Sequence, residues 1–123
     1  GDETPVVSTP STFEQMKIEL SDKQQSLLES YTTTMASSTS TSQKKAIAME
    51  QMSKLNKVMN DEKIYSDLLY TLGYENCYLE IEQDVMKIHV QSDSFDTRDA
   101  SKIIKTILSQ SNYQYIPEVS FSK

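Results

Sequence analysis

The side chains of this chain that could do chemistry are few, and their spacing argues against catalysis. The chain has one cysteine, Cys77, and one histidine, His89. Both fall in strands that we predict below, where Cys77 points to the apolar side and His89 to the polar side. The imidazole therefore cannot activate the thiol. Single residues of these types also exclude two-histidine and cysteine-based metal sites.

Three acidic residues close in sequence, Glu80, Glu82 and Asp84, could form a calcium-binding site. A calcium loop needs a denser set of oxygen ligands, a glycine turn and a distal bidentate glutamate, and none of these follows. We interpret the three acids as a solvated face. Two glycines in the whole chain leave no room for a phosphate loop or a dinucleotide fingerprint. We therefore expect no catalytic residue, no metal and no cofactor.

A more specific signal is a group of tyrosines and charged residues on or near the polar side of the predicted strands. Tyrosine is favoured at interfaces because it is large, stiff and amphipathic. His89 is more simply a solvated strand histidine than a pH-sensitive or interface residue, and the tyrosines are more simply ordinary, partly exposed side chains than interface residues. The candidate interface residues are Tyr78, Glu80, Lys87, His89, Tyr113 and Tyr115.

Composition excludes further classes of protein. The 123 residues carry 12 basic and 18 acidic groups, a net charge of −6, which argues against nucleic acid as a partner. No apolar run approaches the length of about 18 residues that a membrane-spanning helix needs. Hydrophobic residues make up 37%, below the usual value of about 45 to 50%. Part of the deficit lies in residues 32–42, where nine of eleven are Ser or Thr.

The first half of the chain is predicted to be helical. Residues 1–12 hold two of the three prolines and read as a flexible lead-in, in which Gly1 could remain from tag removal. A helix is predicted over residues 13–36, with an apolar stripe of Phe13, Met16, Leu20, Leu27, Tyr31 and Met35.

A second helix is predicted after a Ser/Thr-rich joint. It covers residues 43–59 and carries a coiled-coil-like seam of Ala48, Met52, Leu55 and Met59. We expect Asn60 and Asp61 to end that helix and a third to follow over residues 62–72, with an apolar face of Ile64, Leu68, Leu69 and Leu72. Gly73 is placed to terminate it.

After Gly73 the apolar period changes to two, which indicates strands. Cys77, Leu79 and Ile81 alternate with polar residues, and after a turn at Gln83 and Asp84 so do Met86, Ile88 and Val90. Asp96 or Thr97 can cap a helix whose apolar face is Ala100, Ile103, Ile104, Ile107 and Leu108. A last strand is predicted over residues 118–122, with Val119 and Phe121 on its inner side.

These elements predict an α+β fold. Its compact part is a two-layer α-β-β-α-β sandwich with a three-stranded sheet, preceded by one or two amphipathic helices. The last strand should pair parallel to a hairpin strand. The helix over 13–36 has no obvious place, so it packs on helix 43–59, projects, or binds another chain. We divide the chain into a lead-in (1–12), a helix with its joint (13–42), and a ring-building-motif-like domain (43–123).

The ordered set of elements resembles the extracytoplasmic domain of the stage III sporulation protein AH family. The likeness is carried by the Met52-x-x-Leu55 helix, the LLYTLGY turn at Leu68 to Tyr74, the one-sided hairpin and the IIKTIL helix, and it covers residues 44–122. None of these is a catalytic signature. That family usually has a glycine in the hairpin turn and another after the last helix, where this chain has Gln83-Asp84 and Ser111-Asn112.

The resemblance implies a ring-building fold, similar to inner-ring proteins of type III secretion systems, without enzymatic activity. It implies an N-terminal anchor in the mother-cell membrane, absent from this chain, and a soluble domain in the space between the mother-cell and forespore membranes. The implied partner is stage II sporulation protein Q, within a channel that includes a possible homo-oligomeric ring. The alternative is a small ferredoxin-like regulatory or ligand-binding domain.

Overall fold

The computed structural model describes residues 12–123. The elements, in chain order, are α1 (Thr12–Ala36), α2 (Ser42–Thr71), β1 (Cys77–Glu82), β2 (Val85–Gln91), α3 (Thr97–Gln110) and β3 (Ile116–Ser122). The predicted α+β class and three-stranded sheet are confirmed. Residues 1–11, which include nearly all of the predicted lead-in, lie outside the described residues.

One long helix replaces the two that the sequence predicted between residues 43 and 72. The expected break at Asn60 and Asp61 is wrong, because α2 runs unbroken for 30 residues. Asp61 does not cap a new helix; its carboxylate binds Lys57 Nζ at 2.7 Å and Tyr115 Oη. The ion pair within the helix and the tertiary contact with Tyr115 outweigh the weak helix preference of Asn and Asp. The unbroken helix buries Tyr65 and Leu69 and leaves Ile64, expected on the apolar face, 50% exposed.

The Ser/Thr-rich joint is shorter than residues 32–42. The hydroxyl of Thr32 donates to Leu28 O at 2.8 Å and that of Thr34 to Ser30 O at 3.0 Å, so both threonines stay within α1. Thr41 then caps α2 by accepting from Lys44 N at 3.1 Å. At the other end, Gly73 takes φ +101° and completes a Schellman termination, as the sequence predicted.

The sheet has the order β1-β2-β3. β1 and β2 form the predicted hairpin, in which Cys77 lies opposite Val90, and β3 runs parallel to β2 with Val119 opposite Ile88. β3 begins at Ile116 rather than Glu118. Phe121 lies on the predicted inner side, but it is 53% exposed because β3 is an edge strand, and its ring rests 5.0 Å from that of Phe95.

The core lies between the inner face of the sheet and two helices, the C-terminal half of α2 and α3. On α3, Ile103 and Ile107 are fully buried, whereas Ile104 and Leu108 are half-buried at the side of the helix. The Asp96 carboxylate caps α3 by accepting from Arg98 N and Asp99 N, as expected. The buried core cluster consists of Tyr65, Leu69, Cys77, Leu79, Ile81, Met86, Ile88, Val90, Phe95, Ile103, Ile107 and Tyr115.

The helix without an assigned place, α1, packs along α2 and reaches the sheet. Of the three positions left open, packing on α2 is confirmed. The amide of Gln24 donates to Glu62 Oε1 at 2.7 Å, and the Phe13 ring lies 5.4 Å from that of His89. The first turns of α1 therefore cover part of the sheet face that points away from the core.

Candidate functional site

The candidate site is the sheet face that points away from the core, which we call the outer face. Strand alternation places here the polar residues between the buried ones, and the register aligns them in rows. Tyr78, His89 and Ser120 form one row, and Glu80, Lys87 and Glu118 form the next. The outer face also includes Glu82, Val85, Ile116 and Ser122. Four of the six predicted interface residues lie on it: Tyr78, Glu80, Lys87 and His89.

The Tyr78 end of the outer face is covered by α1. Tyr78 was expected to be exposed, but it is 8% exposed because α1 packs against β1, with Met16 and Leu20 among the residues of α1 near it. Its hydroxyl donates to Glu80 Oε2 at 3.1 Å. Burial, followed by the nearby Glu80 carboxylate, raises the pKa of Tyr78. Tyr78 thus belongs to the contact between helix and sheet in this chain.

His89 links the two parallel strands. Its Nδ1 lies 2.7 Å from Ser120 Oγ and its Nε2 lies 3.0 Å from Ser122 Oγ, within hydrogen-bonding distance of both. The Phe13 ring covers the imidazole at a tilted angle of 36°. His89 is half-buried, and these contacts give it a structural role at the junction of α1, β2 and β3.

Between α1 and β3 the outer face forms an open groove of about 340 Å³. Its walls include Met16, Tyr78, Lys87 and Glu118. The groove has an apolar side next to α1 and charged rims on the strands. Such a surface fits the side chains of another protein segment, because it is open along its length and offers charged groups at its edges.

Tyr115, also predicted as an interface residue, lies in the core. It is 3% exposed, and its hydroxyl donates to the Asp61 carboxylate of α2. Its ring meets Tyr65 edge-on at 6.0 Å, and Lys57 Nζ lies 5.6 Å from the ring centre. Burial is the largest influence that raises the pKa of Tyr115, with the Asp61 hydrogen bond next. The expectation that Tyr115 faces a partner is corrected, since it joins α2 to the start of β3.

Tyr113 is the most exposed of the predicted tyrosines, at 75%. It follows Asn112 in the termination of α3, where Tyr113 N donates to Leu108 O at 2.8 Å. Asn112 has φ +51° and Tyr113 has φ +62°, a left-handed conformation that is rare for an aromatic residue. The backbone therefore holds the Tyr113 ring outward at some conformational cost.

Glu62 is a structural anchor that sequence reasoning missed. It is 7% exposed, and its Oε2 accepts from the backbone N–H of Ile81 at 2.9 Å. Burial raises the pKa of Glu62, against the opposing effect of the hydrogen bonds from Ile81 and Gln24. A signal was present, since Glu62 precedes Tyr65 and Leu69 by three and seven residues and so shares their buried side of the helix.

Other reactive groups are kept apart. Cys77 is buried on the inner face, away from the outer-face His89, and burial raises the pKa of its thiol. Over residues 12–123, no group of three His, Cys, Asp or Glu side chains could hold a metal ion. No helix in that range is long and apolar enough to cross a membrane.

Comparison with known proteins gives three consistent matches. The family model described as "SpoIIIAH-like protein" matches residues 2–116. The chain is 28% identical over 95 residues to the stage III sporulation protein AH of Bacillus subtilis (strain 168), a match to 77% of this chain and 44% of that protein. It is also similar to a chain of the solved SpoIIQ–SpoIIIAH pore-forming complex, with a TM-score of 0.81 and 26% identity over 92% of this chain and 98% of that one.

The match to the solved structure supports the architecture described above, including the helices that precede the sheet. The chain spans less than half the length of the Bacillus subtilis protein. The family model extends from the residues before α1 to the first residue of β3 and so takes in nearly the whole fold. This chain belongs to the SpoIIIAH-like protein family.

Proposed function

We propose that this chain is a non-enzymatic assembly domain of a sporulation channel between mother cell and forespore, where it binds a stage II sporulation protein Q-like partner. The observation that carries the proposal is the likeness of the whole fold to a chain of the SpoIIQ–SpoIIIAH pore-forming complex. The geometry agrees with a binding role, because the outer face offers an open groove.

The proposed domain has a location in the cell and two parts along its sequence. The domain lies in the space between the two membranes and is tethered by an N-terminal anchor in the mother-cell membrane. Residues 43–123 form the ring-building-motif-like unit, and residues 13–42 provide a helix and its joint. Family membership supports the location. The packing of α1 on α2 and β1 supports a helix that is held against the unit.

The residues proposed to meet the partner are the members of the predicted set that are not buried, namely Glu80, Lys87 and the half-buried His89 on the outer face, and Tyr113 after the end of α3. Tyr113 is the strongest of these candidates, because its aromatic ring is 75% exposed on a left-handed backbone, and strained backbone of this kind is often found at binding sites. Tyrosine side chains at the centre of an interface commonly contribute much of its binding energy. Tyr78 and Tyr115 contribute indirectly, by holding α1 and β3 in place.

The test is calorimetric titration of the chain with the soluble domain of a stage II sporulation protein Q from the same organism. We expect Tyr113→Ala to weaken binding by about tenfold or more. The matched control is Tyr70→Ala, which removes a tyrosine of similar exposure, 62%, from α2. Equal affinities for the two variants would contradict the role of Tyr113, and no binding by the unaltered chain would contradict the proposed function.

The groove of about 340 Å³ also favours a second candidate, a small ligand-binding domain of ferredoxin-like kind, because its volume is in the range of small-molecule sites. Such a site should bury most of its ligand, whereas this groove is open. A metabolite screen by thermal shift separates the two functions. A dose-dependent rise in melting temperature with a small molecule, in the absence of any protein partner, would favour the ligand-binding role.

A further inference from the structure

The side of α3 that points away from the core carries three cations. Arg98, Lys102 and Lys105 follow one another at spacings of four and three residues, so they lie along one side of the helix. That side is nearly opposite to the buried Ile107, and all three side chains are exposed. Arg98 pairs with Asp96 at 3.3 Å, whereas Lys102 and Lys105 have no ion-pair partner within the described part of the chain. We call these three residues the basic stripe.

The basic stripe borders a shallow, open hollow of about 400 Å³ on the surface of α3. The residues that line the hollow are the basic stripe, Ser101 and Thr106, and none of them is acidic. The hydroxyl of Thr106 donates to Lys102 O at 2.7 Å, so this side chain is held against the helix. The hollow thus offers cations and a hydroxyl-bearing wall, and charge-assisted hydrogen bonds from such groups recognise phosphate oxygens.

Acidic side chains concentrate on the other side of the molecule. On the outer face, Glu80 and Glu118 flank Lys87 in the strand register, and Glu82 pairs with Lys87 at 3.3 Å. The sheet and α3 separate these carboxylates from the basic stripe, and a helix with its side chains is alone about 10 Å thick. That distance exceeds the Debye length of about 8 Å at physiological salt, so the net charge of −6 leaves the local field of the basic stripe positive.

An anionic lipid surface fits the basic stripe better than a free anion or a protein segment does. The hollow is open and would leave most of a single phosphate in water, whereas a membrane presents many phosphates to three cations at once. The centre of a protein interface is normally depleted in lysine and rich in aromatic side chains. The basic stripe has two lysines, and no aromatic residue lines the hollow.

We propose that the basic stripe of α3 docks on the headgroups of an anionic membrane. Membrane docking rests on the proposed location, because a domain anchored at a membrane meets its headgroups at a high effective concentration. Each lysine or arginine near an anionic surface strengthens binding by about fivefold, so three suffice for an anchored domain although they bind weakly alone. Docking through α3 turns the outer face, with Glu80, Lys87 and His89, away from the anchoring membrane and toward the proposed partner.

The test is co-sedimentation of the chain with vesicles of equal parts phosphatidylglycerol and phosphatidylcholine. We expect binding at about 20 mM salt that is lost by about 500 mM salt, because screening shortens the reach of the charges. Lys102→Gln with Lys105→Gln should lower the partition coefficient by about 30-fold. The matched control, Lys17→Gln with Lys23→Gln, removes two exposed lysines from α1 and should bind like the unaltered chain. Both double variants should melt cooperatively, since all four lysines are exposed.

Equal binding by the two double variants, equal binding to vesicles of phosphatidylcholine alone, or no binding at about 20 mM salt would contradict membrane docking. So would a melting temperature that rises with inorganic phosphate in the absence of vesicle binding, since the hollow would then serve a soluble anion.

Titration with the Q-like domain separates membrane docking from the proposed function. If Lys102→Gln with Lys105→Gln weakens partner binding and the unaltered chain binds no vesicles, the basic stripe belongs to the partner contact and membrane docking is wrong. If the unaltered chain binds the anionic vesicles but not the Q-like domain, the proposed function is wrong and membrane docking is supported.

Discussion

The carboxylate of Glu62 in α2 accepts the backbone N–H of Ile81 in β1 at 2.9 Å. β1 is an edge strand, so its outward N–H groups would otherwise need water or another strand. The second oxygen of Glu62 accepts the amide of Gln24 in α1 at 2.7 Å. One buried side chain therefore ties the sheet edge, α2 and α1 together.

Glu62→Ala should lower the free energy of unfolding by about 1 to 3 kcal/mol, because it leaves the Ile81 N–H buried and unpaired. Glu62→Gln should cost less, about 1 kcal/mol or under, since its amide oxygen can still accept from Ile81. Urea denaturation measures both variants. Equal losses for the two would show that the volume of the side chain, and not its hydrogen bond, is what stabilises the edge.

The same carboxyl group gives stability a pH dependence. Burial raises the pKa of Glu62 above its ordinary value of 4.5, so the folded state holds its proton more tightly than the unfolded state. The contribution of Glu62 is full below that value and is lost as pH rises through the folded pKa. The unfolding free energy of the unaltered chain minus that of Glu62→Gln should therefore fall over this interval. A difference that is constant or rises with pH would contradict the assigned shift.

Periodicity predicted most of the strand faces and several helix ends of this fold. The alternation from Cys77 to Ile81 predicted the inner side of the sheet correctly, and Gly73 and Asp96 marked helix ends at positions that the structure confirms. These signals are local. Residues close in sequence decide which face of a strand a side chain occupies and where a helix ends.

Tertiary contacts account for what the sequence did not predict. Tyr78 was placed on the right face, but its burial depends on where α1 crosses the sheet, which no local pattern reports. Tyr115 and Asp61 are 54 residues apart, and their hydrogen bond both buries the tyrosine and removes the expected helix break.

Two neighbouring isoleucines should respond differently to truncation. Ile103→Ala should lower the free energy of unfolding by about 2 to 5 kcal/mol, because Ile103 is fully buried in the core. Ile104→Ala should cost clearly less, since Ile104 is half-buried at the side of α3. Thermal unfolding of the two variants at one pH makes the comparison. A larger loss at Ile104 would mean that α3 is rotated about its axis relative to this structure.

Glycine should stabilise the fold at two turn positions, Gln83 and Asn112. Gln83 and Asn112 have φ +58° and +51°, in the left-handed region that glycine adopts without steric cost. We expect Gln83→Gly to raise the free energy of unfolding by about 0.5 to 1 kcal/mol, and Asn112→Gly by less, because Asn tolerates this region better than Gln. Chemical denaturation would measure both. A loss of stability at Gln83→Gly would contradict the assigned turn.

The hydroxyl of Tyr115 should contribute to the stability of the fold separately from the packing of its ring. Tyr115→Phe keeps the packing against Tyr65 but leaves Asp61 with Lys57 as its remaining side-chain partner. Because a hydrogen bond to a charged group contributes about 1.5 to 3 kcal/mol, we expect a loss within or just below that range. Tyr113→Phe is the control, since that ring is 75% exposed and should change stability little. Similar losses in the two variants would contradict the role of the Tyr115 hydroxyl.

The most direct test of the assembly function is sedimentation velocity of this chain mixed with the soluble domain of a stage II sporulation protein Q from the same organism. The account predicts a new boundary with the mass of a defined hetero-complex, formed at micromolar concentrations and lost when either component is omitted. Two independent boundaries that persist at tens of micromolar would contradict it, because the chain would then lack the partner on which the proposed channel function depends.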